Sequence, residues 1–450
     1  MNVDLGKHNI KSLFLKFVIP AIIGLLVNAV YIIVDGIFIG RGVGENGLAA
    51  INILWPIMCL NLAVGLLLGV GAATRISVKL GEKNIEFSKK ILSVSIFSMI
   101  LIGVIVMICG LVFLEPILKS LGATGEVLNL SKEYSRIIYT FTIFQILSTA
   151  LNPIVRTEGN PKLAMNILII CAILNGILDW IFVIKLNLGM KGAALATIIG
   201  ITFSAVYLLY YFISSKSILR INLKTLKFNV NIFMDIIASG FVSFAVELSF
   251  GVLICIQNKL LLKYGNTIDV AIFAIVGYIA VIFLETLNGI AQGIQPIIGY
   301  NYGAKKYDRV KEVLIFSIKM DIILGTLGLI IVFVFAKPMV HLFTNNYEIM
   351  PLAIERLKIY LISLPIIGII VTSGSYYQAI HKNVYANIIT LSKSFIFLIP
   401  ASYILPKYMA VNGIFFAPLV ANFITLIITI FILFIEKNKE RKVMISEEVL

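Results

Sequence analysis

The chain has 450 residues, of which 60% are hydrophobic and only 13% charged, and it carries a formal net charge of +14. Soluble domains carry about 25% charged residues, so this composition excludes a water-soluble globular protein. Apolar runs of about 20 residues recur from end to end, each long enough to cross a hydrocarbon core about 30 Å thick, and the positive charge is read as membrane orientation, with no nucleic-acid partner.

The N-terminal segment MNVDLGKHNIKS lacks the short apolar region and small-residue cleavage site of a signal peptide. The first span is expected near residues 13–40. It contains Pro20, which removes a backbone hydrogen bond and permits a kink, and is therefore a candidate hinge. It also contains Asp35, about five residues before its outer end at Gly40. Further spans are expected near 46–78, 91–114, 134–155, 162–184 and 190–213. Tyr139 lies in the fourth. Asn175 and Asp179 lie in the fifth, four residues apart and so on one helix face. Thr197 lies in the sixth. Counted from the outer ends at about 1.5 Å per residue, Asp35, Asp179 and Thr197 fall at one depth in the outer half of the bilayer. An intramembrane carboxylate is costly and marks function by default. Two carboxylates with an amide and a hydroxyl suit Na+ or a proton; the bland alternative is a hydrogen-bond network that only packs helices.

Residues 214–231, SSKSILRINLKTLKFNVN, are the one break in composition. They read as a cytoplasmic linker between an N-terminal six-helix lobe, residues 1–213, and a C-terminal lobe with a short basic tail, residues 232–450. The second lobe holds spans near 231–262, 268–300, 312–336, 350–379, 383–405 and 411–435. Glu247 lies in the seventh span, Glu285 and Gln292 in the eighth, and Tyr376 beside Tyr377 in the tenth. With Tyr139, the residues Glu247, Glu285, Gln292 and Tyr376 are candidates for substrate binding or coupling, weighed against ordinary packing. Lys319, Asp321 and Lys393 are also intramembrane, and Lys319 and Asp321, two apart, do not face one another.

The lobes repeat at an offset of 222. Gly71, Gly81, Lys83, Ser95, Gly103 and Pro116 pair with Gly293, Gly303, Lys305, Ser317, Gly325 and Pro338. Between residues 71 and 133 about 16 of 63 positions are identical at this shift, the weak internal symmetry common in transporters. Gln257 occupies the repeat position of Asp35, and Val242 that of Pro20, which places cation binding and any hinge in the N-terminal lobe. With the N-terminus cytoplasmic, about 22 Lys and Arg fall on the inner side and about 8 on the outer side, which fixes both termini in the cytoplasm. Cys59, Cys109, Cys171 and Cys255 all fall within spans and read as packing residues. Zinc-site spacing, a nucleophilic triad and a phosphate-binding loop are absent from the sequence, so neither enzyme nor ATP-driven pump is expected, and no cofactor or metal beyond the coupling ion.

At VDGIFIGRGVGENGLAA (34–50), RTEGNPKLAMN (156–166), the run from Asn175 to Asp179 followed by GMKGAALAT (189–197), and QGIQPIIGYNYGAKKYDRVK (292–311), the sequence resembles the multidrug and toxic compound extrusion (MATE) family, in its bacterial DinF/MepA-like branch. The resemblance covers essentially the whole chain. It implies an all-α polytopic membrane protein with twelve transmembrane helices in two pseudo-symmetric six-helix bundles. It also implies a monomeric multidrug efflux antiporter of the cell membrane that exports organic, mainly cationic compounds in exchange for Na+ or H+. Asp35 matches the family's first-helix acid, Asn175, Asp179 and Thr197 its cation ligands, and SGFVSFAVELSFG (239–251) its seventh-helix acidic motif around Glu247. The family usually has Pro where this chain has Val242. The alternative reading is a lipid-linked oligosaccharide flippase of the same superfamily.

Overall fold

The computed structural model describes residues 5–221, 226–344, 346 and 349–448, without the side chains of 437 and 439–448. Of the basic residues assigned to the inner side, Lys224 lies outside the described residues, as do the side chains of Lys437, Lys439, Arg441 and Lys442. The described residues form helices joined by short turns, with no strand among them. In chain order they are α1 (Ile10–Gly42), α2 (Glu45–Gly81), α3 (Ile85–Val112), α4 (Leu114–Ser120), α5 (Gly125–Thr140), α6 (Thr142–Thr157), α7 (Pro161–Asp179), α8 (Gly189–Ile213), α9 (Val230–Tyr264), α10 (Thr267–Gly303), α11 (Tyr307–His341), α12 (Ile349–Leu361), α13 (Leu364–Ala379), α14 (Asn383–Leu391), α15 (Leu398–Ile404) and α16 (Pro406–Glu448). Eleven helices, some continued through a short break, are long and apolar enough to cross a membrane, and a bent pair brings the number to twelve. This is the all-α, twelve-span architecture expected above.

The bent pair is the fourth span. The sequence suggests one helix over 134–155; the structure has α5 and α6 meeting at Phe141 with a 61° bend. Thr140 and Thr142 flank the bend, and each hydroxyl donates to the carbonyl four residues back, Arg136 and Ile138. Such back-bonding competes with the helical ladder and bends helices.

Local chemistry sets the helix ends. Asn9 and Asn84 cap α1 and α3 by accepting from the backbone N–H groups of Lys11 and Phe87, and Pro161 opens α7 where its missing N–H costs nothing. Four helices, α2, α6, α10 and α13, close alike. Lys83, Gly159, Lys305 and His381, each two residues past the last helical residue, take left-handed φ values of 61°, 99°, 58° and 60°. The next N–H then donates five residues back, from Asn84 to Lys79, Asn160 to Val155, Lys306 to Asn301 and Lys382 to Tyr377, the bonding of a Schellman turn. Lys83 and Lys305, like Gly159 and His381, are 222 apart, so the repeat is written in backbone geometry as well as in sequence.

Contacts divide the chain into two compact bodies: residues 1–252, 292–313 and 378–381 form the first, and residues 253–291, 314–377 and 382–450 the second. The first has an apolar core from α2, α3, α6 and α8, including Leu68, Ile76, Ile96, Met99, Leu151 and Phe212, and a second cluster around Ile39, Leu54, Tyr134, Val183 and Ala193. Within it α2 and α10 cross almost backbone to backbone. A Cβ on Gly81 would stand 2.0 Å from the Tyr300 carbonyl oxygen, and one on Gly303 would stand 2.0 Å from that of Val78. Each residue of this crossing is the repeat partner of another in it. The second body has its own core, from Leu261, Val276, Leu287, Val332, Leu357, Leu361 and Phe415.

Candidate cation site

Asp35 on α1, Asn175 and Asp179 on α7 and Thr197 on α8 come together within the first body. Small residues bring the three helices close. A Cβ on Gly176 of α7 would stand 3.9 Å from Val34 Cγ1 on α1, and one on Gly200 of α8 would stand 3.4 and 4.0 Å from the Cys171 carbonyl oxygen and the Asn175 Cβ. Cys171 Sγ donates to the Gly200 carbonyl at 3.2 Å. Asp179 is the last α-helical residue of α7. The chain continues from Trp180 to Lys185 as a π-helical turn, with Leu186 N–H donating to the Ile181 carbonyl five residues back. Wide turns of this kind insert a residue into a helix and recur at functional sites. A Cβ on Gly42 would meet Val183 Cγ1 at 2.3 Å, so this π turn is seated directly on the end of α1.

Asp179 is fully buried, and Asn175 and Thr197 are 2% and 7% exposed. Asp35 is half-buried with its Oδ1 enclosed. The two carboxyl groups are close enough to interact electrostatically. Asp35 Oδ1, both oxygens of Asp179 and both polar atoms of Asn175 have no hydrogen-bond partner, and no ion pair among the described residues involves either acid. Two ionised carboxylates about 4 Å apart repel by about 4 kcal/mol at an effective dielectric constant of about 20. One cation or one proton placed between them removes that repulsion and supplies the orphaned oxygens with a partner. The donor set is all hard oxygen and amide, the chemistry of an alkali cation rather than a transition metal, and no group of three or more His, Cys, Asp or Glu suited to a metal occurs among the described residues.

Two residues of this site escape a reading by sequence alone. Tyr31 donates to Thr197 Oγ1 in a long contact of 3.5 Å, and Tyr134, 2% exposed, brings its hydroxyl toward the same threonine and the same two acids. Tyr31 stands one turn before Asp35 on α1, a spacing that could have flagged it. Tyr134 lies far away in sequence on α5, where nothing local points to it.

The other candidates are dispersed. Glu247 is half-buried on α9. Gln292 accepts from the Arg156 guanidinium at 3.0 Å, beside a cavity of about 10 Å³ that Thr74, Thr157 and Gln295 also line. Glu285 belongs to the second body, where Asn288 donates to it at 3.3 Å. The Tyr139 ring is laid over Gly110, and Tyr376 packs edge-on against Tyr377. α1 runs without interruption through Pro20.

The MatE family model matches the chain twice, over residues 20–181 and 242–404, two copies that begin 222 residues apart. The multidrug export protein MepA of Staphylococcus aureus (strain MSSA476) is 30% identical over 438 residues, covering 96% of this chain and 95% of its own length. The protein of the same name from Staphylococcus saprophyticus is 28% identical over the same span and shares. A solved structure of a multidrug resistance MATE family transporter of the MOP superfamily, in an outward-facing conformation, shares the fold with a TM-score of 0.92, at 23% identity, covering 97% of this chain and 98% of that one.

Proposed function

Because the chain belongs to the MatE family, we propose that it is a secondary active multidrug exporter, driven by the inward flow of a cation through the site of Asp35, Asn175, Asp179 and Thr197. The observation that carries the reading is the meeting of the buried Asp179 with the half-buried Asp35, where both Asp179 oxygens and the enclosed Asp35 Oδ1 lack a hydrogen-bond partner and neither acid has a basic partner among the described residues. An external Na+ or H+ satisfies them. Its arrival changes the charge on α1 and α7, and its release toward the cytoplasm restores it. The cation drives export only if it binds the outward-open and inward-open states with different affinity. The π turn after Asp179 and the contact of Gly42 with Val183 give it a route, since the end of α1 rests on the backbone that the site's own carboxylate terminates.

Organic cations are the cargo this reading favours. Asp35, Asp179, Glu247 and Glu285 place negative charge inside the membrane, whereas a carrier of lipid-linked pyrophosphate sugars needs a cationic cleft. The export activity in the names of the MepA relatives agrees with this choice. Residues 1–213 and 232–450 are taken as the two moving lobes of a monomer in the cell membrane with both termini in the cytoplasm, a reading supported by the 222-residue repeat and the distribution of Lys and Arg. Transport in proteoliposomes under independently imposed Na+ and pH gradients tests the proposal. Uptake of a planar aromatic monocation into inverted vesicles should follow one of the two gradients and stop when it is collapsed. Transport indifferent to both gradients, or a preference for anionic lipid-linked sugars, would overturn it.

A further inference from the structure

The second body contains a buried carboxylate that the proposed cycle does not use. Asp321 on α11 is fully buried, and neither of its carboxyl oxygens has a hydrogen-bond partner. It lies in a tight seam between α11 and α13. A Cβ on Gly368 would stand 2.7 Å from the Asp321 Cβ and 2.9 Å from its Oδ1, and one on Gly325, a turn further along α11, would stand 2.7 Å from the Pro365 Cα. Thr372, one turn beyond Gly368 on α13, and Ser373 beside it are also fully buried, and their hydroxyl oxygens likewise lack partners.

The repeat shows that the fold does not require these polar groups. A Cβ on Gly103 would stand 3.0 Å from the Ile143 Cα, as one on Gly325 would stand close to that of Pro365, and both pairs are related by the offset of 222, so the seam between α3 and α6 is its structural counterpart. There the positions of Asp321, Gly368, Thr372 and Ser373 are held by Met99, Ile146, Ala150 and Leu151, all fully buried. In one copy of the seam these four positions are apolar. The other has a carboxyl group, two hydroxyls and a glycine that makes room for the acid. Burying a carboxylate without a partner is strongly unfavourable even after relaxation, so the acid needs a ligand that neutralises it.

We propose that Asp321 and Thr372 form a second proton-binding site, in the C-terminal repeat and separate from the site of Asp35 and Asp179. The proton is the ligand that a seam this tight admits. It forms an O–H bond on one Asp321 oxygen, which then donates to the hydroxyl oxygen of Thr372, and when it leaves to water the same hydroxyl turns and donates to the carboxylate. Among the described residues no ion pair involves Asp321 or Lys393. α13 contains no Asp, Glu, Lys, Arg or His, and its titratable residues Tyr376 and Tyr377 lie a turn beyond Thr372. On α11, Lys319 is exposed and two residues away, on another side of the helix. α10 meets α11 at Phe283 and Gly328, two turns along, and of its acids Glu285 accepts from Asn288 while Asp269 is paired with Arg356 at 2.6 Å.

Infrared difference spectroscopy of the full chain in liposomes, titrated from acid to alkaline pH, tests the assignment. A carbonyl stretch of a protonated carboxylic acid should appear and disappear with pH, survive in the Asp35→Asn/Asp179→Asn double variant and vanish in Asp321→Asn. Thr372→Val, which keeps the acid, should shift the frequency of that band, and Thr372→Ser should restore it; this pair decides the matter if Asp321→Asn does not fold. An Asp321→Asn spectrum that matches wild type at every pH, a band that never titrates, or a Thr372→Val band at the wild-type frequency would overturn the proposal. Because the readout is separate from transport, it stands or falls independently of the site on α1 and α7.

Discussion

In the proposed site Asp35 and Asp179 would offer full charges to a cation where Asn175 and Thr197 would offer only dipoles, and substitution separates the two contributions. Asp35→Asn and Asp179→Asn should each abolish gradient-driven export in proteoliposomes while leaving the yield of folded protein near wild type, because each removes one charge and thereby relieves the repulsion in the resting site. Full export by either variant would remove that acid from coupling. Asn175→Ala and Thr197→Ala should lower apparent cation affinity by about tenfold or less, about 1.4 kcal/mol, measured by the ion concentration that half-saturates transport. These four residues are legible in the sequence because a polar group in an apolar span is conspicuous. Tyr31 and Tyr134 are not, since a membrane tyrosine is as much at home in packing or at an interface as in a site. His381 belongs to another class. It lies between two spans, with its Nδ1 buried and without a partner, and burial, together with the nearby charges of Arg75 and Lys79, pushes its imidazole down to about 3. Its folded value is below the ordinary histidine value, so the unfolded chain binds more protons between about pH 6.5 and 3, and stability falls as pH drops through that window. His381→Gln should therefore flatten the loss of thermal stability on acidification, and should leave the pH dependence of transport above pH 6 unchanged. A transport profile shifted near neutrality by that substitution would contradict a histidine held neutral.

At the level of helices, the expected spans are recovered because length and hydropathy govern them, whereas their breaks are set by single side chains. The bend at Phe141 is flanked by two threonine hydroxyls turned back on the ladder, a local feature that hydropathy does not register. The close crossing of α2 and α10 was visible only as a pair of matched glycines, and its meaning is geometric: Gly81 and Gly303 each rest on a carbonyl of the other helix. Gly81→Ala and Gly303→Ala should therefore each destabilise the protein by about 1–3 kcal/mol or more, the usual cost of overpacking, seen as a lower midpoint of thermal aggregation in detergent. The two variants should behave alike, because their surroundings are related by the repeat. A silent alanine at either position would mean that the helices separate there at little cost. Pro20 poses a different question. α1 is continuous through it, so any contribution to a hinge lies in the easier bending that a missing hydrogen bond permits. Pro20→Ala should slow turnover more than it weakens cation binding, because proline supplies no ligand; equal losses in both would argue for a structural role in the site.

Across the whole molecule, the two repeats share a fold and divide the chemistry between them. The turns at Lys83 and Lys305 and the crossing at Gly81 and Gly303 keep the symmetry, because backbone geometry must match wherever the repeated helices meet. The polar residues inside the membrane break it. Asp35 has Gln257 as its counterpart, Pro20 has Val242, and Asp321 has Met99. Sequence comparison within the chain made the first two contrasts legible; the third needed the structure, because a lone acid on a long helix reads equally well as facing lipid, cleft or core. Gln257 is 3% exposed, so it is as enclosed as a coupling acid would be, yet a neutral amide cannot exchange charge with a cation. If coupling is confined to the first repeat, Gln257→Ala should leave the ion dependence of transport nearly intact, and Gln257→Asp should not rescue Asp35→Asn. Cation binding followed by calorimetry should be lost in Asp35→Asn and kept in Gln257→Ala and Glu247→Gln. The reverse pattern, binding lost in Gln257→Ala or Glu247→Gln and kept in Asp35→Asn, would move the coupling site to the other half of the transport machinery and leave the acids on α1 and α7 as packing groups alone.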